Sequence, residues 1–456
     1  GLGQGVGCAH TGAGVKPPAA VPARVALAIY GVLCWALIPV LRWRLHRRAR
    51  AEPLYGQRVS ERFGYYAADV PAAAARVPGL RVWVHAVSLG ETRAAALLVA
   101  ALRQAMPGMR LVLTHGTATG RAAGAALLQP GDVQVWQPWD APGAVRRFLQ
   151  HMAPHMGLLI ETEVWPQLLA GCVQAGVPVY LVNARLGEAS WRAYRRAPWL
   201  SGPAFAALTG VWAQTAADAD RLRALGAPVR GIAGNFKFDA RPDAAQVALG
   251  TALRARLHKP VLMLASSREG EEAMWLQALQ TMQGAGGRMP DCHWLLVPRH
   301  PQRFDAVADA VQQAGMALAR RSACADLDAW LAAPDAVLLG DSLGEMALYY
   351  SLADVALLGG SFAPLGGQNL IEAAACGCSV VVGPHTFNFA QVADSAVAAG
   401  AAVRAPDMPA ALARAVALLA QDPMVRRRRA QDFAAASGGA VRRTVDALVA
   451  ASAGLT

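Results

Sequence analysis

Gly366–Gly367–Gln368–Asn369–Leu370–Ile371–Glu372 lies between two apolar runs, Asp354–Gly360 and Ser379–Gly383. The flanking runs have the length and composition of buried strands, and the segment between them suits a short helix. Its first turn offers glycine, an amide and then a carboxylate. Glycine lets a ligand approach the backbone closely. The free N–H groups and dipole of a helix start favour phosphate, and a carboxylate one turn in can accept both hydroxyls of a ribose. A sugar nucleotide fits that pattern. A helix that merely packs, with a polar first turn, fits the segment equally well.

The rest of the chain repeats the alternation. Strands are expected at Val82–Val87, Arg110–Thr114, Val133–Trp136, Met156–Ile160, Val179–Val182, Val211–Gln214 and Val229–Ala233. A second set is expected at Val261–Ala265, Trp294–Val297, Ala336–Gly340, Val355–Gly359 and Val380–Gly383. Alanine-rich amphipathic stretches such as Glu91–Arg103 and Ala216–Leu225 separate them. Short β-branched runs alternating with helices predict parallel sheets covered on both faces. At 456 residues the chain is too long for one ordinary core,. The expected fold class is α/β, with two Rossmann-like domains facing a cleft. That is the architecture of a two-domain nucleotide-sugar transferase, or equally of a sugar-nucleotide epimerase. The domains are expected at residues 51–245 and 246–456, with the boundary within 240–260.

Residues 25–41 (VALAIYGVLCWALIPVL) carry no charge and are followed at once by Arg42, Arg44, His46, Arg47, Arg48 and Arg50. A full crossing needs about 20 apolar residues, so residues 25–50 read as a signal anchor or as a helix lying in the interface. The basic flank keeps the bulk of the protein cytoplasmic. Residues 1–24 read as a disordered or misassigned leader. The net charge of +12 implies an anionic partner: nucleic acid, anionic lipid or a phosphorylated substrate,. No zinc-finger spacing, RNA-binding aromatic signature or compact basic domain is present, which leaves nucleic acid the weakest of the three. The seven cysteines are scattered and odd in number, as expected of free thiols in a reducing compartment,. Cys376 and Cys378 lack a second pair at ligand spacing, so no metal site is expected.

Polar clusters sit just after the strands. In His85-Ala-Val-Ser88-Leu-Gly90-Glu91, Glu91 stands in a first helical turn and could take a proton from an acceptor hydroxyl. Ser-x-x-Glu is also the capping-box spacing, so a purely structural role is open. Glu161 and Glu163 lie on the loop before Pro166. Lys237 stands between two phenylalanines, where it can pair with Asp239 or reach an anion. Arg299 offers a bidentate fork, and His300 beside Pro301 can be a structural hydrogen bonder. Leu343, Gly344 and Glu345 precede another helix. No DxD-type acidic pair offers a metal–phosphate clamp.

Taken in order, YGQRVSERFG, HAVSLGE, THGTATG, ETEVWP, VNARL, GNFKFD, PRHP, GDSLGEM, GGSFAPLGGQNLIEAAACG and GPHTFNF resemble the 3-deoxy-D-manno-octulosonic acid (Kdo) transferases of Gram-negative lipopolysaccharide assembly. The resemblance runs from about Tyr55 to Phe389. It implies a GT-B glycosyltransferase with an N-terminal anchor in the inner membrane, its catalytic domains on the cytoplasmic face. It implies Glu91 as general base, with Glu163 and Lys237 supporting the transition state. It assigns CMP to Arg299, His300, Leu343, Gly344, Glu345, Asn369, Leu370, Ile371 and Glu372, with Glu372 on the ribose. The implied reaction moves Kdo from CMP-Kdo to the tetraacylated lipid A precursor, lipid IVA, with inversion and without metal or other cofactor. Only one phosphate leaves, so basic residues and helix starts suffice to neutralise it. His85 and His115 depart from the family's pattern, where small or threonine-like residues are expected.

Overall fold

In a computed structural model the described residues are 23–284, 290–324, 327–333 and 335–452. All but the last two residues of the expected leader lie outside them. The described chain forms two compact units, residues 23–234 with 441–452, and residues 235–440.

In the first unit Arg81–His85 (β1), Arg110–His115 (β2), Val133–Trp136 (β3), Met156–Ile160 (β4), Val179–Ala184 (β5), Gly210–Ala213 (β6) and Val229–Ile232 (β7) form one sheet. Its order is β3-β2-β1-β4-β5-β6-β7, and every pairing is parallel. In the second unit Val261–Ser267 (β8), His293–Pro298 (β9), Leu318–Arg320 (β10), Val337–Leu339 (β11), Val355–Leu358 (β12), Ser379–Val382 (β13) and Ala402–Arg404 (β14) do the same, in the order β10-β11-β9-β8-β12-β13-β14. All twelve expected strands are present within one or two residues of their expected ends. The two that sequence reading missed, β10 and β14, are three-residue edge strands whose side chains, Ala402 apart, are only half-buried, so no apolar run marks them.

The central strands are buried along their whole length, as in β4, β8 and β12. Continuous apolar runs are what a parallel sheet covered on both faces requires. Hydroxyl caps start the covering helices: Ser88 for Leu89–Ala105, Thr117 for Ala118–Gly124 and Thr215 for Ala216–Ala224,. Chain order reverses between β1 and β4 in the first sheet and between β8 and β12 in the second. Open parallel sheets collect ligands at strand C-termini beside such a reversal.

The apolar N-terminal run forms two helices, Ala23–Ala36 (α1) and Ile38–Ala49 (α2), bent by 47° at Leu37. The second has Pro39 in its first turn, and proline there cannot continue the preceding helix's hydrogen bonding. Among the described residues no single helix is long and apolar enough to cross a membrane. The segment after α2 is tied down by Glu61, which is buried and accepts from Arg121 Nη1 at 2.7 Å and Trp136 N at 2.9 Å.

Candidate functional site

At the end of β1 the chain turns into the helix Leu89–Ala105 through a variant of the capping box, in which the Glu91 carboxylate reaches the N–H of Val87 instead of that of the cap residue Ser88. Ser88 Oγ accepts from Glu91 N at 3.3 Å, and the Glu91 carboxylate accepts from Val87 N at 2.7 Å and from Ser88 Oγ at 3.1 Å. Glu91 is thus a cap, as its spacing allowed. It is also half-buried. Burial pushes its carboxyl up to about 7, and the charges of Glu163 and Glu161 add to that, while the Val87 N–H and the Ser88 hydroxyl oppose it. A carboxylate accommodates about four hydrogen bonds. Capping occupies two of those positions, leaving room for a substrate proton.

Glu161 and Glu163 follow β4, beside β1 in the sheet. Glu161 has φ +65°, in a region non-glycine residues seldom occupy and which clusters at functional sites. Its backbone continues the ladder, with N–H to Val182 O at 3.1 Å. Glu163 Oε2 accepts from Trp165 Nε1 at 2.7 Å. Burial raises the Glu163 carboxyl, the tryptophan bond opposes this, and Glu161 adds to the rise.

Behind this loop lies His85, wholly buried. Trp83 Nε1, a donor only, gives its proton to Thr114 Oγ1 at 2.8 Å,. Thr114 Oγ1 also bonds His85 Nδ1 at 2.8 Å, and His85 Nε2 lies 3.9 Å from Glu163 Oε2. Burial, with His115 nearby, lowers the imidazole to about 3, so a neutral ring faces the carboxylate. His115 Nδ1 donates to Ala86 O at 2.9 Å and braces the turn before Ser88. His85 therefore lies behind the acidic loop, and His115 beneath the turn into the helix Leu89–Ala105.

Lys237 belongs to the second unit. It is exposed in the turn Phe236–Asp239, its backbone N–H bonded to Asn235 Oδ1 at 2.9 Å. Asp239 accepts from Gly439 N.

Further along the second unit, Arg299 leaves β9 with its N–H on Ser267 O at 3.0 Å. Its charge reaches Glu372: burial raises the Glu372 carboxyl and Arg299 opposes that rise. Gly366 and Gly367 adopt φ +88° and +75°. A Cβ on Gly366 would lie 2.2 Å from Asn388 Nδ2. Gln368 Nε2 donates to Ser266 O at 2.6 Å, joining this loop to the end of β8. Asn369 Oδ1 accepts from Ile371 N at 3.0 Å at the start of the helix Ile371–Ala375. Leu370 and Ile371 are 1% and 2% exposed and belong to the core, so only their backbone can meet a ligand. Glu345 is held by Arg321 Nη2 at 2.8 Å and by Ser342 Oγ. Leu343 is exposed, Gly344 has φ +77°, and His300 is half-buried. In the second unit the Arg299 charge is felt at Glu372, whereas the Glu345 carboxylate is already paired.

Sequence reading missed Ser266–Glu272, at the chain reversal between β8 and β12. Ser266 has φ +51°. Glu271 is fully buried and accepts from Arg268 N at 2.9 Å, Gly360 N at 2.8 Å, Phe362 N at 3.1 Å and Ala363 N at 3.1 Å. Glu272 pairs bidentately with Arg303, at 2.9 and 2.8 Å. A strand end followed by two serines and a glycine was the available signal. Among the described residues no group of three or more His, Cys, Asp or Glu is placed to hold a metal ion, and Cys376 and Cys378 are buried free thiols.

A family model for 3-deoxy-D-manno-octulosonic-acid transferase (kdotransferase) matches residues 57–240. The chain is 48% identical over 437 residues to the 3-deoxy-D-manno-octulosonic acid transferase of Bordetella pertussis, covering 92% of this chain and 98% of that protein. Among solved structures it resembles a UDP-GlcNAc 2-epimerase of Neisseria meningitidis bound to UDP-GlcNAc, at TM-score 0.52 and 14% identity, covering 81% of this chain and 99% of that one. It also resembles a glycosyltransferase of Rickettsia africae, at TM-score 0.52 and 10% identity, covering 81% and 98%. These structural likenesses show the fold: paired parallel α/β sheets of the GT-B class.

Proposed function

Because the chain belongs to the 3-deoxy-D-manno-octulosonic acid transferase family, we propose that it moves Kdo from CMP-Kdo to the tetraacylated lipid A precursor by a metal-independent, inverting displacement. The single observation that carries the mechanism is Glu91: a capped carboxylate raised to about 7 at the end of β1. A base is most effective when its pKa lies near the working pH. Glu91 takes the proton of the acceptor hydroxyl as that oxygen bonds to the anomeric carbon of Kdo. The bond from that carbon to the CMP phosphate breaks, and the electron pair leaves with CMP. One displacement inverts the centre.

Glu163, steadied by Trp165 and backed by the His85 ring, faces the positive charge that develops on the sugar. Lys237 serves the departing anion or the sugar carboxylate. On the donor side Arg299 and His300 meet phosphate, the backbone of 343–345 and 369–371 supplies N–H groups, and Glu372 holds the ribose. The charge of Arg299, which opposes the burial-driven rise of the Glu372 carboxyl, supports that assignment.

The acceptor's phosphates and acyl chains suit the +12 charge and the apolar N-terminal helices. The face of α1 that carries Val25, Ile29, Val32 and Leu33 is exposed, and Trp35, Val40 and Trp43 continue it. Arginines follow directly, as at the surface of an anionic bilayer. These features support a location on the cytoplasmic side of the inner membrane. The test is to incubate the purified full chain with CMP-Kdo and the tetraacylated precursor, and to read acceptor mass and the anomeric configuration of the product. CMP release with a mass gain of one or more Kdo supports the reading. Activity with a UDP-sugar and none with CMP-Kdo would refute it.

A further inference from the structure

The first unit holds a cavity of about 300 Å³ that the proposed chemistry does not use. Its walls come from three places: Tyr30 of α1, the loop Thr162–Trp165 and the helices Glu188–Arg195 and Pro198–Ala206. A second space of about 130 Å³ continues along α1 past Leu27 toward Arg24, sharing Pro166, Leu200 and Ala204 with the first. The lining is mostly apolar, and several of its polar atoms are already bonded. Trp165 Nε1 is spent on Glu163, Ser201 Oγ donates to Tyr194 O at 2.9 Å, and the Tyr30 hydroxyl bonds Asp140. Thr162, the Glu163 carboxylate and the Tyr194 hydroxyl are the polar groups that remain.

A mostly apolar space suits an apolar guest, and 300 Å³ is at the lower limit of ligand pockets,. Away from Thr162, Glu163 and the Tyr194 hydroxyl its wall offers nothing to hold a nucleotide or a sugar. A slender alkyl chain whose polar end lies near Glu163 satisfies both ends. α1 cannot drift from this position cheaply. Gln167 Nε2 donates to Leu27 O at 2.6 Å, and a Cβ on Gly31 would lie 2.7 Å from Gln167 Nε2. The same helix turns its outer face, with Ile29 and Val32, to the outside, so α1 has the cavity on one side and an exposed apolar face on the other.

We propose that this cavity is an acyl-chain subsite for the acceptor, and that α1 is one of its walls. The proposal rests on the reading of the acceptor as an acylated glycolipid. One chain seated here holds the acceptor hydroxyl beside the acidic loop, and acylation becomes a requirement for affinity.

The test compares the tetraacylated precursor with its fully deacylated counterpart, on the intact chain. Ala193→Trp fills the cavity from an exposed position on its wall, and Leu200→Phe fills the junction of the two spaces. The expected result is a rise of about tenfold or more in KM for the acylated acceptor. KM for CMP-Kdo, and transfer to the deacylated acceptor, should stay within about twofold. With wild type, each methylene removed from the seated chain should raise KM about fourfold, and that dependence should vanish in Ala193→Trp. Equal changes for both acceptors, or none, in a variant that melts like wild type would overturn the subsite while leaving the transferase reading intact. If Ala193→Trp melts early, Leu200→Phe decides by the same comparison. Wild type that transfers Kdo to neither acceptor would instead overturn the transferase reading.

Discussion

Replacing Glu91 with Gln separates the cap from the base. The amide oxygen keeps an acceptor for Val87 N–H, and the backbone N–H of residue 91 still reaches Ser88 Oγ. The helix start is therefore retained, with a loss of at most about 1 kcal/mol from exchanging a charged for a neutral acceptor. An opposing term works in the other direction. The wild-type carboxyl rises from 4.5 to about 7 on folding. Between these values the folded state binds more protons than the unfolded one, so wild-type stability falls as pH rises through that window and is level above it. Solvent screening at this half-buried carboxylate leaves on the order of 1–2 kcal/mol of that penalty at pH 8. Glu91→Gln does not ionise. At pH 8 it should melt at or above the wild-type temperature, and below pH 4.5 at or beneath it.

Activity should go the other way. Loss of a positioned base costs about 10²–10⁴-fold, and wild-type kcat/KM should climb with pH toward a plateau above about 7. The assay is CMP release at saturating acceptor from pH 5 to 9, with CMP-Kdo affinity measured in parallel. A Glu91→Gln variant that turns over near the wild-type rate would reduce Glu91 to a cap and refute the mechanism.

Glu372→Ala should weaken CMP binding by about 1.5–3 kcal/mol, the worth of a charge-assisted hydrogen bond. Leu370→Val, a buried change, should lower the melting temperature and leave CMP affinity alone; equal affinity losses would make the segment a folding element only. Transfer from ready-made CMP-Kdo should persist in EDTA, and loss that Mg²⁺ restores would overturn the donor-site assignment. Glu271→Ala strips one buried carboxylate from four backbone N–H groups and should cost at least about 3 kcal/mol, read as a fall in the second unit's melting temperature. Unchanged melting would mean that water replaces the carboxylate there.

The strands were legible because a parallel sheet covered on both faces needs unbroken apolar runs, and β4, β8 and β12 supply them. β10 and β14 were not, because a three-residue edge strand buries too little to leave a pattern. The helix Ala440–Ser452 belongs with the first unit through contacts such as Arg443 Nη2 on Ala233 O at 2.7 Å. Such a return depends on residues far apart in the chain, and no local periodicity records it. At the site, Glu91 was legible as a candidate yet undecidable from spacing, since one geometry serves both cap and base. Leu370 and Ile371 were assigned to CMP as part of a motif, but their side chains complete the core. Ser266–Glu272 was passed over because an acidic helix start usually means a solvated end; here Glu271 is fully buried and binds the loop after β12.

The anchor segment shows why apolar length alone is a poor guide to what a helix does. The uncharged run of 25–41 has nearly the length of a crossing, but α1 ends at Ala36, before the run does. Pro39 prevents α2 from extending it in line. One face of α1 is also fastened to the first unit through Gly31, Leu27 and Tyr30, which a helix free to span lipid would not need. Its other face is apolar and open, and α2 carries arginine where a lipid headgroup would lie. α1 therefore has one face docked on the first unit and one apolar face left open.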